Sequence, residues 1–180
     1  IAAHRAGTDG NSMTAALSPD STVAVIGAGA MGAGIAQIAA LNGHRVQLHD
    51  TRFGAGDAAK KGIAETLDKL VAKGRLARAD ADAAVARIAT VVALPDVCVA
   101  QLVIEAIVED LGAKQELLQR IENVVTSECI LASNTSSISI TALGAGMKHP
   151  GRVVGMHFFN PAPLMPLVEI VSGLATSSSV

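Results

Sequence analysis

The stretch that decides the fold is residues 23–32, VAVIGAGAMG. Its first four residues are apolar and mostly β-branched, a pattern typical of a strand buried on both faces. Residues 29–41 follow with apolar side chains at helical spacing, and Asn42 and Gly43 end that helix. Residues 45–49 have the composition of the next strand. Strand, glycine-rich turn, helix and strand in this order predict one βαβ unit.

The glycines of this turn have the spacing GxGxxG. Gly27 permits the tight turn, Gly29 lets the backbone approach a pyrophosphate, and Gly32 lets the helix pack closely on its strand. Asp50 ends the next strand, where a carboxylate can bind an adenosine ribose. An aspartate there repels a 2′-phosphate, which favours NAD over NADP, although Arg52 nearby weakens that preference. The alternative is that these are packing glycines in a helix rich in alanine and glycine.

The rest of the chain alternates helices with strands and then departs from that alternation. Helices are predicted over residues 58–72, 79–88 and 114–125, and strands over residues 90–92, 102–104 and 130–132. Residues 153–159 and 167–171 are both strand-like, and the link between them holds three prolines, which favours an antiparallel turn. We therefore predict an α/β fold, a Rossmann-type doubly wound and mostly parallel sheet with a helical-hairpin insertion and a final antiparallel strand pair.

Composition excludes several classes of protein. The 180 residues carry a net charge of −2, half of them are hydrophobic, and only three are aromatic. This is not a disordered composition, and it offers neither the basic patch nor the stacking rings that nucleic acid requires. No apolar run approaches the roughly 18–20 residues that span a membrane. Cys98 and Cys129 have neither a redox nor a metal-ligand spacing, so we expect no metal site and two reduced core thiols in a cytoplasmic protein.

Two groups of polar residues suggest chemistry. If the turn is centred near Pro163, His157 and Glu169 face each other across two strands, and the carboxylate can orient the imidazole as a general base. The alternative is a structural ion pair. Residues 133–137, SNTSS, follow a strand end, as do Glu105, Glu109 and Lys114. Ligands bind at the carboxyl ends of strands in such sheets, but ordinary helix caps are an alternative reading.

Four motifs together resemble one family. Residues 27–32 (GAGAMG), 105–109 (EAIVE), 133–137 (SNTSS) and 157–161 (HFFNP) occur in the order and spacing of the NAD-binding domain of the L-3-hydroxyacyl-CoA dehydrogenases. The resemblance covers about residues 21–173. The HFFNP segment with the downstream glutamate is more specific than the glycine motif.

The resemblance implies an enzyme that oxidises a 3-hydroxyacyl-CoA to a 3-oxoacyl-CoA with NAD, in the breakdown of fatty acids or aromatic acids. It implies that His157 is the base, that Glu169 orients it, and that Ser136 lies near the reacting oxygen, touching substrate and cofactor. Further cofactor contacts are implied at the turn, at the ribose carboxylate and at later strand ends: Gly27, Gly29, Ala30, Met31, Gly32, Asp50, Ala106, Glu109, Lys114 and Asn160. Thr66 and Lys73 match positions that meet the CoA moiety, although Lys73 is equally typical of a solvated helix face.

The N-terminal residues and the family pattern together set expectations about domains and partners. Residues 1–12 are expected to be a tag remnant, with Met13 a plausible native start and residues 13–180 the NAD(P)-binding domain. The family continues into a helical domain that completes the acyl-CoA cleft and forms a homodimer, so this chain is expected to be the cofactor-binding part. It should bind NAD but turn over poorly, and exposed apolar surface could lead to self-association.

Two other functions stay open at this point. A different β-hydroxyacid dehydrogenase can share the glycine motif, but such enzymes use a lysine base, which the His157–Glu169 pair argues against. A non-catalytic relative that keeps the dinucleotide fold would not need Ser136, His157, Asn160 and Glu169 together.

Overall fold

A computed structural model describes residues 17–180 of the chain. The predictions for residues 1–12 and Met13 lie outside the described residues. Among the residues described, no helix is long and apolar enough to cross a membrane.

The centre of the fold is one seven-stranded sheet in the order β3-β2-β1-β4-β5-β6-β7. The first six strands are parallel and β7 is antiparallel to β6, which confirms the predicted class of fold. The strands are β1 (Thr22–Ile26), β2 (Arg45–His49), β3 (Ile88–Val91), β4 (Leu102–Glu105), β5 (Ile130–Ser133), β6 (Val153–Phe158) and β7 (Val168–Ser172). The α-helices are α1 (Ala30–Leu41), α2 (Ala55–Ala72), α3 (Arg78–Ala86), α4 (Leu111–Glu122) and α5 (Ile140–Gly144).

Helices cover both faces of the sheet, and β1 explains why. Alternate residues of a strand point to opposite faces, and all five residues of β1 are buried. Val23 and Val25 belong to the apolar cluster that includes side chains of α1, α2 and α3. Ala24 and Ile26 belong to the cluster that includes side chains of α4 and α5. The apolar run of β1 therefore fits a central strand between two helical layers.

The helical hairpin between β2 and β3 is confirmed, with different boundaries. The first helix begins at Ala55, and the second ends at Ala86, so the prediction that Ile88 is helical is wrong. Ile88 starts β3 because it pairs with Val46 of β2 and is 1% exposed, a tertiary preference that helical periodicity does not reveal. The predicted strand over 90–92 starts two residues too late.

Other differences are local. Helix α4 begins at Leu111, because the Asp110 carboxylate accepts a hydrogen bond from the N–H of Ala113 and caps the helix. Short α5 and the 3-10 helices Leu94–Val99, Pro150–Arg152 and Ala162–Leu164 were not predicted. The prediction of two core thiols holds for Cys129 but is wrong for Cys98, which is exposed.

Candidate active site

The glycine turn between β1 and α1 is closely packed on two sides. Gly27 has φ +106°, a conformation that L side chains rarely adopt, and a Cβ on it would lie 2.5 Å from the carbonyl oxygen of Ala106. A Cβ on Gly32 would lie 1.7 Å from the carbonyl oxygen of Gly27. Glycine at these two positions is therefore required by the fold itself.

Gly29 is different, because a Cβ built there meets no heavy atom within 4 Å. The residue is the N-cap of α1, and no side chain among the described residues caps this helix end. Unpaired N–H groups and the positive end of the helix dipole favour an anion at such a position. The open space above Gly29 thus fits a pyrophosphate, and the turn fits NAD in this respect.

The Asp50 carboxylate lies beside the same turn. Its Oδ2 accepts a hydrogen bond from the N–H of Ala28 at 2.8 Å, and its Oδ1 accepts one from the N–H of Arg52 at 2.9 Å. The guanidinium of Arg52 adds contacts of 3.1 and 3.2 Å. Partial burial opposes ionisation of the carboxyl group, but these donors and the Arg52 charge outweigh it and lower its pKa from 3.8 to about 2. Asp50 is therefore an anion beside the turn, where a ribose-binding carboxylate is expected.

Glu109 joins the loop after β4 to the loop after β5. One of its oxygens accepts hydrogen bonds from the Thr135 hydroxyl, from the N–H of Ser136 at 3.0 Å, and from the N–H and hydroxyl of Ser137. Burial alone would raise its pKa, but these donors and the nearby Lys114 charge lower it to about 2. An ionised Glu109 therefore fixes the backbone that carries Ser136.

A buried ion pair stabilises the ends of β4 and β5, from which these two loops start. Lys114 and Glu105 have side chains that are 1% and 0% exposed, and Lys114 Nζ lies 2.6 Å from Glu105 Oε1 and 3.3 Å from Glu109 Oε2. Glu105 also accepts hydrogen bonds from the Ser133 hydroxyl and from the N–H of Ile107. No structural role was predicted for Glu105 and Ser133 from the sequence. The charged residue that ends the apolar strand LVIE could have indicated a buried ion pair.

The antiparallel register places His157 of β6 directly opposite Glu169 of β7, as predicted. Glu169 Oε2 lies 2.9 Å from His157 Nδ1, and Ser136 Oγ lies 3.1 Å from His157 Nε2. A carboxylate only accepts hydrogen bonds, so Nδ1 carries the hydrogen and donates it to Glu169. In the neutral imidazole, the hydroxyl of Ser136 then donates to the lone pair of Nε2. This arrangement assigns the tautomer in which Nε2 can take up a proton.

The backbone after His157 is also held in place. Asn134 Oδ1 accepts a hydrogen bond from the N–H of Phe158 at 2.9 Å, which ties β6 to the loop that carries Ser136. The ring of Phe159 lies 4.7 Å from the imidazole of His157, centroid to centroid. A cleft beside this pair is lined by Ser136, Ser137, His157, Glu169 and Val171. The cleft leaves room for a small molecule next to the imidazole.

The structure brings some predicted site residues into one network and leaves others outside it. His157 contacts both Ser136 and Glu169. Glu109 contacts Ser136, and Lys114 contacts Glu109. The N–H of Ala106 donates a hydrogen bond to the carbonyl oxygen of Ile26, just before the turn that leads to Ala30 and Met31. Asn160 is exposed just after β6. Thr66 and Lys73 are exposed at the far end of α2, and the Thr66 hydroxyl donates back to Gly62.

A mostly parallel sheet with this glycine turn, a carboxylate at the end of β2 and an oriented histidine at the end of β6 defines the class: the dinucleotide-binding domain of a dehydrogenase. The family described as 3-hydroxyacyl-CoA dehydrogenase, NAD binding domain, matches residues 22–180, and the chain belongs to this family. The resemblance seen in the sequence is confirmed, and the cofactor is NAD, as predicted.

Individual relatives agree with this assignment. The chain is 47% identical over 159 residues to the 3-hydroxyadipyl-CoA dehydrogenase of Escherichia coli, covering 88% of this chain and 34% of that protein. It is 40% identical over 158 residues to the 3-hydroxybutyryl-CoA dehydrogenase of Mycobacterium tuberculosis, covering 87% and 55%. The crystal structure of a 3-hydroxybutyryl-CoA dehydrogenase from Escherichia coli superposes with a TM-score of 0.88 at 46% identity, covering 89% of this chain and 34% of that one. The chain thus spans about a third to just over half of the length of these relatives.

Proposed function

We propose that the protein containing this chain oxidises a 3-hydroxyacyl-CoA to the 3-oxoacyl-CoA with NAD. The observation that carries the proposal is the hydrogen-bonded series Glu169–His157–Ser136 at the carboxyl ends of β5 and β6. An alcohol oxidation requires a group that removes the hydroxyl proton while hydride leaves the carbon. Nε2 of the oriented imidazole is such a group.

The chain's residues would act on the C3 hydroxyl as follows. His157 takes the hydroxyl proton at Nε2, and Glu169 stabilises the imidazolium that forms. Ser136, which donates to Nε2 in the free site, turns its hydroxyl toward the reacting oxygen while the C–O bond becomes a carbonyl. NAD supplies the hydride acceptor when it is bound. One proton and one hydride leave the substrate, so the step balances as a two-electron oxidation.

The cofactor is proposed to bind across the edge of the sheet. Gly27, Gly29 and Gly32, with Ala30 and Met31 in the first turn of α1, would hold the pyrophosphate, and Asp50 would bind the adenosine ribose. Ala106, Glu109, Ser136 and Asn160 would surround the nicotinamide end. Lys114 is buried against Glu105, so we propose that it acts on the cofactor through Glu109.

The substrate class is proposed from the relatives and from α2. The named relatives act on CoA thioesters. Thr66 of α2 and Lys73, which directly follows that helix, are both exposed, and Lys73 could pair with a CoA phosphate. A test measures NAD reduction by the full-length protein with 3-hydroxybutyryl-CoA and with free 3-hydroxybutyrate. We expect efficient turnover of the thioester only. Equal turnover of the free acid would favour another β-hydroxyacid dehydrogenase, and turnover of neither would favour a non-catalytic relative.

Two further proposals concern the whole protein. Exposed apolar residues cluster on and around β7: Leu164, Leu167, Ile170, Val171 and Leu174. Monomers rarely expose such a group of apolar side chains, so we propose that the helical domain of the full-length protein covers it and that this domain forms the homodimer. Sedimentation of the full-length protein at increasing concentration tests the oligomeric state.

Cys98 and Cys129 are free, which suits a reducing compartment, and we propose that the protein is cytoplasmic.

A further inference from the structure

Every lone pair of the Asp50 carboxylate is already used. A carboxylate offers about four acceptor positions. The N–H groups of Ala28 and Arg52 occupy one on each oxygen, and Nε and Nη2 of Arg52 occupy the other two. The Asp50 side chain is 9% exposed, whereas that of Arg52 is 70% exposed. The guanidinium therefore closes the exposed side of a carboxylate that is otherwise held by backbone.

An adenosine ribose would need the same positions. Its two vicinal hydroxyls donate to the two oxygens of a ribose-binding carboxylate, and the backbone donors of Ala28 and Arg52 are fixed in the glycine turn and in the loop after β2. The guanidinium sits on a long, exposed side chain and can move. We infer that Arg52 determines dinucleotide specificity: it occupies the place of the ribose hydroxyls in the free protein and, once displaced, pairs with a 2′-phosphate when the cofactor carries one.

This inference rests on the proposed role of Asp50 as the ribose carboxylate. It predicts opposite effects on two cofactors when Arg52 is removed. NADH no longer has to displace a bidentate pair, so its binding becomes tighter. NADPH loses the cation that would neutralise its 2′-phosphate and meets the unscreened charge of Asp50, so its binding becomes weaker. A residue that only stabilised the fold would not change the two affinities in opposite directions.

The test is calorimetric titration of the full-length protein with NADH and with NADPH. For Arg52→Ala we expect NADH to bind about two- to fivefold tighter, the range of an exposed ion pair, and NADPH to bind about tenfold weaker. Arg52→Lys keeps the charge but not the bidentate geometry, so NADH should tighten while NADPH stays within about threefold of the wild type. Arg120→Ala removes one exposed positive charge from α4 and is the matched control, with both affinities unchanged.

The variants also separate the possible failures. Unchanged or weaker NADH binding by Arg52→Ala, or unchanged NADPH binding, would overturn the inference about Arg52. Asp50→Asn should weaken NADH binding. Unchanged NADH binding by Asp50→Asn would show that Asp50 does not bind the ribose, and the inference about Arg52 would fail with that assignment. A wild-type protein that binds neither NADH nor NADPH would contradict the proposed NAD site itself.

Discussion

The imidazole of His157 is held at both nitrogens by residues from different parts of the chain. Glu169 comes from the next strand, and Ser136 comes from a loop 21 residues earlier. The pairing with Glu169 was predictable, because an antiparallel turn centred near Pro163 sets the register. The contact with Ser136 was not predictable from spacing, since it depends on β5 and β6 being neighbours in the sheet, and only the resemblance to the family suggested it.

The two low carboxyl pKa values predict how stability depends on pH. Asp50 and Glu109 both have a pKa of about 2 in the folded protein, below their ordinary values of 3.8 and 4.5. A carboxyl group whose pKa is lowered by folding stabilises the folded state at pH values above its ordinary pKa. This stabilisation is lost as the pH falls toward 2 and the group becomes protonated. We expect the free energy of unfolding to decrease between about pH 4.5 and 2, with Asp50 contributing on the order of 1 kcal/mol because water screens its exposed partner Arg52.

Urea unfolding at a series of pH values tests this. Asp50→Asn should be less stable than the wild type at pH 6 and should show a shallower loss of stability below pH 4. Asp20→Asn, which changes an exposed carboxyl group in the turn before β1, is the control and should follow the wild type. If Asp50→Asn and the wild type lost stability in parallel, the network around Asp50 would not be formed in solution.

At the scale of elements, the turn from β1 to α1 has two kinds of glycine. Gly32 is enclosed by the backbone of its own turn, whereas Gly29 faces open space. The sequence motif predicted a role for each, and the structure separates their consequences. Gly32 is therefore required by the fold, whereas we propose that Gly29 is required for binding of the cofactor.

Alanine substitutions measure this difference. Gly32→Ala would place a methyl group 1.7 Å from a carbonyl oxygen, so we expect a loss of about 3 kcal/mol or more, or failure to fold. Gly29→Ala should change the free energy of unfolding by about 1 kcal/mol or less. It should nevertheless weaken NADH binding at least about tenfold, because the methyl group fills the space assigned to the pyrophosphate. Unchanged NADH affinity in Gly29→Ala would contradict this assignment.

Element boundaries were less predictable than element types. Strand β2 was predicted over the residues observed, because its polar and glycine neighbours mark both ends. Ile88 was assigned to the wrong element, because an isoleucine after an alanine-rich helix fits either the helix or a strand. Its place in β3 is decided by pairing with β2, a contact between segments more than 40 residues apart.

At the scale of the whole molecule, the strand order assembles the site. Strands β1, β4, β5 and β6 are neighbours and parallel, so the segments that follow them meet at one edge of the sheet. Alternation of strands and helices predicted this edge as the functional one. It could not reveal that Lys114 would be buried on Glu105, or that Arg52 would cover Asp50. Both depend on side-chain packing in three dimensions.

The central claim is that the oriented imidazole removes a proton during an NAD-linked oxidation. The most direct test measures two quantities in the full-length His157→Gln variant: kcat for 3-hydroxybutyryl-CoA and the affinity for NADH. The control is His149→Gln, which changes an exposed histidine before β6. We predict that His157→Gln lowers kcat by about a hundredfold or more and leaves the NADH dissociation constant within about twofold, while the control matches the wild type. Turnover by His157→Gln at the wild-type rate would contradict the account.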